Sequence, residues 1–311
     1  MKHTPLSGLV AATYTPLERD GRLATSRVPD IVERLVEDGV RGLYVCGSTG
    51  EGMSLSCDER MEVTEAYVAA VRERVPVIVQ VGHNSIEEAR RLAEHAQSLS
   101  VAAISATCPS YYPITSSRVL VDCMADIASA APETPFYYYH IPVLTHVGLD
   151  MSTFLCEACL ESSGRGIDTL VGIKFSAPQL HDFQACLELA DGRFDIVWGT
   201  DEMLLGALAT GTRAAIGSTY NIAAPLYLEL EGAFESGDMP RARAAQSRSV
   251  AMVRAIARFP FHSAMKEVLR MQGLDLGPCR APLRGLSPSE VDELRTGLDA
   301  IGFFEWSRGA R

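Results

Sequence analysis

The 311 residues suffice for one large domain or two modest ones and for a full hydrophobic core. With 47% hydrophobic, 22% charged and 7% aromatic residues, the composition is that of a soluble globular protein. A formal net charge of −11, from 28 basic and 39 acidic residues, argues against nucleic acid or an anionic membrane as the main partner, while leaving room for a small anionic substrate in a locally positive pocket.

No apolar stretch is long enough to span a bilayer, and the start "MKHTPLSGLVAATYTP" lacks a signal-peptide core and a small-residue cleavage site, so a cytoplasmic location is expected. Cys46, Cys57, Cys108, Cys123, Cys156, Cys159, Cys186 and Cys279 are scattered without framework spacing, which predicts reduced thiols. Cys156 and Cys159 form one C-x-x-C at helix positions in "MSTFLCEACLES". A zinc site needs a second ligand pair and none is evident, so core thiols are expected, with no metal and no other cofactor.

Short β-rich apolar runs recur along the chain, each followed by a helix-like segment. They are "LSGLVAATYTP" (6–16), "GLYVCGSTGE" (42–51), "PVIVQVG" (76–82), "VAAISATCP" (101–109), "PFYYYHIP" (135–142), "LVGIKFS" (170–176), "FDIVWGTD" (194–201) and "RAAIGSTYN" (213–221). Most are continuously apolar, the pattern of parallel strands covered on both faces. Between them, "NSIEEARRLAEHAQSLS" opens with a Ser85-x-x-Glu88 capping box and aligns Ala89, Leu92, Ala93 and Ala96 on one face. "SCDERMEVTEAYVAAVRERV" places acids in its first turn and arginines in its last. The expected fold is a (β/α)₈ TIM barrel over 6–236 with further helices over 237–311, the whole forming a single domain.

In such a barrel chemistry sits at the C-terminal strand ends. Strand two ends in "GSTGEG" (47–52), whose Ser48 and Thr49 offer hydroxyl and backbone donors to an anion, though a plain glycine turn reads the same way. No G-K-[ST] follows, so it is not a nucleotide P-loop. Strand five is "FYYYHIP": alternation puts Tyr137 and Tyr139 on one face and Tyr138 on the other. Tyr137 and Tyr138 read as core aromatics with hydroxyls reaching water, and Tyr139 as the phenol placed to act. His140 has no partner histidine at metal spacing and reads as structural or as a substrate contact.

Strand six carries Lys174, with Ser176 on the same face. One reading is an ammonium paired with a neighbouring strand's carboxylate or snorkelling outwards. The other is an amine whose pKa falls on burial and which attacks a carbonyl to form a Schiff base. Strand seven ends in Asp201 and Glu202, a pair suited either to capping the next helix or to binding a polyol. Strand eight ends in "GSTYN", with room for a ligand beside Ser218, and "PSYYP" (109–113) supplies two loop aromatics suited to an interface or a lid. No serine elbow, H-E-x-x-H or dinucleotide fingerprint is present. One buried amine, one phenol, hydroxyl-rich turns and an acid pair suit imine chemistry on a keto acid.

"GSTGEG", "YYYHIP", "GIKFS" and "GTDE…GSTYN", in this order, resemble the pyruvate-dependent class I aldolases of the N-acetylneuraminate lyase / dihydrodipicolinate synthase family over nearly the whole chain. The resemblance implies that Lys174 forms the Schiff base with C2 of pyruvate or a 2-keto acid. It implies that Tyr139 relays protons to and from the aldol hydroxyl, and that Ser48 and Thr49 bind the carboxylate. Tyr111 matches an aromatic that reaches a neighbouring subunit's site, which implies a homotetramer. Dihydrodipicolinate synthases carry an arginine shortly after the strand-five proline; here "IPVLTHVG" has Leu144 at that place. The forms present are similar to animal-type sialic acid lyases, where Asp201, Glu202, Ser218, Ser176 and the Gly199 carbonyl would hold the sugar chain. His146 stands where glycine is usual, and Thr200 replaces an aliphatic residue. The expected activity is cleavage of a 2-keto-3-deoxy sugar acid, N-acetylneuraminate foremost. The alternatives are another keto-acid aldolase or dehydratase, and a non-catalytic ligand-binding barrel.

Overall fold

The computed structural model describes residues 3–159 and 166–307. Eight parallel strands, β1 (Gly8–Ala12), β2 (Gly42–Val45), β3 (Val77–Gln80), β4 (Ala103–Ala106), β5 (Phe136–His140), β6 (Leu170–Phe175), β7 (Asp195–Trp198) and β8 (Ala214–Gly217), close into a barrel in sequence order. Each lies inside one of the apolar runs read from the sequence. Both faces of these strands are buried, which is why the runs do not alternate.

The connecting helices are α1 (Val28–Glu37), α2 (Cys57–Val71), α3 (Ile86–Ser98), α4 (Ser117–Ala128), the single turn α5 (Pro142–Thr145), α6 (Met151–Cys159), α7 (Leu180–Glu188), α8 (Leu204–Thr210) and α9 (Tyr220–Glu235). Beyond them come α10 (Met239–Ile256), α11 (Phe261–Met271), α12 (Pro288–Ala300) and the short α13 (Phe303–Trp306). The larger core lies between strands and helices. A second cluster, including Val10, Ala12, Tyr44, Ile78, Tyr137, Tyr139, Val197 and Ile216, fills the barrel itself. It is a packed interior, not a pore.

Local signals were obeyed in part. Ser85 caps α3 by accepting from Glu88 N, yet its own amide donates to His83 Nδ1 at 3.0 Å, so the expected capping box is only half made. A complete box forms instead at Ser56 and Glu59, opening α2. That helix stops at Val71, where Arg72 turns left-handed at φ 48°, so the arginines expected in its last turn lie beyond its end. Cys156 and Cys159 are exposed, not core, thiols: the buried face of α6 is Met151, Phe154, Leu155 and Ala158, and the two cysteines fall outside it. All eight cysteines are free, and no group of three metal-ligating residues forms among the described residues.

The strand-five tyrosines alternate as expected, but their hydroxyls do not reach water. Tyr137 OH donates to Asp195 Oδ2 at 2.5 Å and meets His3 Nε2 at 2.9 Å, sealing the N-terminal end of the barrel. Tyr138 OH points outward to Cys108 Sγ at 3.8 Å. In a fully packed interior these polar atoms find protein partners.

Candidate active site

The parallel register brings the strand ends together at one end of the barrel. Tyr139 on β5 pairs with Lys174 on β6, and Lys174 with Val197 on β7. There a cavity of about 620 Å³ opens, lined by Ser48, Thr49, Tyr139, Lys174, Ser176, Gly199, Asp201, Glu202 and Ser218, nine residues singled out from the sequence. Tyr111 is not among the lining residues. It is 78% exposed on the loop after β4, edge-on to Tyr112, with its amide held by Asn84 Oδ1.

Lys174 is fully buried, and no ion pair to it forms among the described residues. Its Nζ lies 3.7 Å from the ring centroid of Tyr44 and 4.0 Å from that of Tyr139. Burial pulls its pKa down to about 7, against the opposing pull of the Asp201 carboxylate. A buried site penalises the ammonium, so the neutral amine is available near neutral pH. Of the two readings of this residue, the ion pair is not realised.

Asp201 does not cap α8, which begins at Leu204 without a side-chain cap. Its Oδ2 accepts from Thr219 N at 2.8 Å and from Thr219 Oγ1 at 2.7 Å, and Thr219 continues through Tyr227 to Ser249 on α10. Its Oδ1 is buried without a partner. Burial raises the Asp201 pKa, with the Thr219 hydrogen bonds working the other way. Glu202 is also raised by burial, helped by its acidic neighbour. Burial likewise raises the Tyr139 phenol, opposed by the Ser48 and Ser176 hydroxyls. Two glycines make this crowding possible: a Cβ at Gly199 would overlap Ser176 Oγ, and one at Gly217 would overlap the Asp201 carboxylate.

The turn bearing Ser48 and Thr49 is held from outside the barrel. Glu51, in left-handed conformation at φ 56°, forms a buried ion pair of 2.6 Å with Lys266 on α11 and accepts from Arg280 N at 2.8 Å. Sequence reasoning missed this brace, and it missed Tyr44 and Thr219. It also missed that the C-terminal helices wall the cavity, through Val253, Ala257, Phe261 and His262. His140 faces the outer core, 5.1 Å from the Phe175 ring and outside the cavity lining, and burial lowers its pKa to about 4, which favours the structural reading over a substrate contact. His146 ends α5 in left-handed conformation, exposed and outside the lining. Thr200 does line the cavity, and its carbonyl accepts from Trp198 Nε1 at 2.5 Å.

Set beside known proteins, residues 5–301 match the model of the dihydrodipicolinate synthetase family. N-acetylneuraminate lyase A of Xenopus laevis is 38% identical over 282 residues, covering 89% of this chain and 90% of that protein. Human N-acetylneuraminate lyase is 34% identical, covering 97% and 94%. Among solved structures, Proteus mirabilis N-acetylneuraminate lyase superimposes with a TM-score of 0.91 at 36% identity, covering 96% of this chain and all of that one. The Aliivibrio salmonicida sialic acid aldolase gives a TM-score of 0.91 at 35% identity. This chain belongs to the dihydrodipicolinate synthetase family.

Proposed function

We propose that the protein is a Schiff-base-forming lyase that cleaves N-acetylneuraminate, or a closely similar 2-keto-3-deoxy sugar acid, to pyruvate and an aldehyde, here N-acetylmannosamine. The observation that carries this reading is Lys174: a buried amine with its pKa pulled to about 7, at the floor of a hydroxyl-lined cavity. Similarity to N-acetylneuraminate lyases along most of the chain supports the choice of substrate.

The amine attacks the C2 carbonyl, the carbonyl oxygen leaves as water with one proton from the amine and one from the medium, and a cationic imine results. Tyr139 takes the C4 hydroxyl proton while its own phenol proton passes through Ser48 to the substrate carboxylate, from which C3 later recovers it; the C3–C4 bond breaks, and the bond's electrons move to the imine to give an enamine. The aldehyde departs, C3 is reprotonated, and water releases pyruvate and the free lysine. Ser48 and Thr49 hold the carboxylate throughout. The free Oδ1 of Asp201, the Oγ of Ser176, Glu202, Ser218 and the Gly199 carbonyl meet the hydroxylated chain. Leu144 at the rim, more than half exposed, offers no partner to a second carboxylate, which disfavours a dihydrodipicolinate synthase-like substrate.

The same reading makes the protein a single domain, because α10 and α11 wall the cavity. It also makes it a cytoplasmic homotetramer. The free cysteines suit a reducing compartment, and the exposed Tyr111 and Tyr112 suit a subunit contact in which Tyr111 enters the neighbour's site. The test is incubation with pyruvate and borohydride, followed by peptide mass mapping. An adduct on Lys174 is expected; its absence would favour the non-catalytic barrel. Comparing cleavage of N-acetylneuraminate with other keto-deoxy sugar acids then decides among substrates.

A further inference from the structure

We propose that Tyr44 is a catalytic residue of this site, its ring face bearing directly on the Lys174 nitrogen and stabilising the positive charge that nitrogen acquires in the imine. Tyr44 and Tyr139 stand nearly perpendicular, at 81° with centroids 5.7 Å apart, and Nζ lies over both faces at 3.7 and 4.0 Å. Both rings are buried, which limits screening of the contact by water. The face of an aromatic ring is its electron-rich side, and a cation within about 6 Å of the centroid is attracted, most strongly where both are desolvated.

The position of the Tyr44 ring is built rather than incidental. Its hydroxyl bonds Ser105 Oγ on β4 at 3.2 Å. Beyond the strand end, Gly47 leaves the ring its space, since a Cβ there would lie 2.6 Å from Tyr44 Cε1. This gives the first glycine of "GSTGEG" a reason unconnected with anion binding. Tyr139 is already engaged as the proton relay, so Tyr44 is the ring whose contact with Nζ has no other use.

The effect is differential. The attacking amine is neutral and gains little from a ring face, whereas the protonated imine, formed when C2 loses its oxygen as water, carries a full charge at the same nitrogen. That charge is what draws electrons from the breaking C3–C4 bond. A dry pocket that favours the neutral amine works against the cationic imine, and ring faces offset this without a carboxylate that would hold the lysine protonated.

The inference rests on Lys174 forming the imine, and the experiment separates the two. In the full-length enzyme, the pyruvate concentration giving half-maximal borohydride trapping at Lys174 is measured for Tyr44→Phe and for phenylalanines bearing one, two and three fluorines at position 44. Fluorination drains the ring face while keeping its shape. Half-maximal pyruvate should rise stepwise, by about tenfold from the plain to the trifluorinated ring. The apparent pKa of the trapping reaction should fall along the series, as the ammonium loses the same contact. A flat series overturns the inference, as does a folded Tyr44→Phe variant that traps nothing, which would move the whole effect to the hydroxyl. Should Tyr44→Phe not fold, fluorinated tyrosines, which keep the Ser105 bond, carry the same comparison. Absence of any wild-type adduct on Lys174 refutes the lyase reading itself, and the inference falls with it.

Discussion

The Glu51–Lys266 pair lends itself to a quantitative test, because it is buried and spans the chain. The two side chains are 0% and 3% exposed and 2.6 Å apart; Arg280 N donates to Glu51 at 2.8 Å, the Cys279 thiol also bonds Glu51, and Lys266 donates to Pro278 O at 2.8 Å. Lys266→Met would leave a carboxylate buried with only the Arg280 amide and a weak thiol donor, Cys279. Breaking a buried pair from one side costs about 3–5 kcal/mol, a large part of the 5–15 kcal/mol typical of a whole domain. At ~2–4 °C per kcal/mol for a chain of this size or somewhat smaller, the melting temperature should fall by roughly 10 °C. Glu51→Gln added to Lys266→Met removes the charge but keeps an acceptor for Arg280, so the double variant should recover most of the loss. Urea unfolding of the wild type, both single variants and the double variant closes the cycle. A single-variant cost below ~1 kcal/mol, or a double variant as unstable as the sum of the singles, would refute the reasoning. Because Glu51 belongs to the turn that carries Ser48 and Thr49, half-maximal pyruvate in trapping should rise in Lys266→Met and largely return in the double variant.

The remaining expectations concern the chemistry. Tyr139→Phe should still yield a borohydride-trapped adduct while turnover drops by ~10²–10⁴, the usual worth of positioned acid–base help; full activity would remove Tyr139 from the relay. The trapping rate should climb with pH through about 7 and level off above it, because the proposed nucleophile is the neutral amine and burial lowers its pKa. A rate that keeps climbing toward the ordinary lysine range near pH 10 would contradict that shift. Gly217→Ala places a Cβ against the Asp201 carboxylate, so cleavage should fall by ~10²-fold while pyruvate trapping persists, measured on the same preparation.

The barrel was legible because its strands are buried on both faces, so each announces itself as a continuous apolar run, and helices fill the intervals. Single residues at strand ends were legible where a polar type interrupts such a run, as Lys174, Asp201 and Ser218 do. Tyr44 gave no such signal. An aromatic in a buried strand looks the same whether it faces the helices, like Tyr138, or the barrel interior, and the parity of β2 is settled only by its pairing with Ala12 and Ile78. Thr219 was hidden because its partner lies 18 residues away across a strand boundary, and Glu51 because its partner is 215 positions further on. The C-terminal helices read as an appendage since periodicity reports that a helix has a buried face but not what that face covers. The capping box failed at Ser85 for a comparable reason: His83, outside the motif, takes the amide that the motif assigns to Glu88.

Lysine itself carries information in this chain. Of 28 basic residues only Lys2, Lys174 and Lys266 are lysines, and the latter two are buried. Where an exposed cation suffices the sequence uses arginine, as in the surface pairs Arg91–Asp58 and Arg284–Glu290. The two buried amines meet opposite surroundings. Lys266 faces a carboxylate at contact distance and a carbonyl, and through them it braces a turn. Lys174 faces two aromatic rings, while the acid whose charge bears on it, Asp201, is held by Thr219 rather than by the lysine. An amine given a contact carboxylate would stay protonated and inert toward carbonyls. One given nothing would form an imine cation only at great cost. Ring faces and an oriented acid short of ion-pair distance leave the amine free to attack and the resulting charge supported, and the arginines that populate the rest of the surface, always charged, could do neither.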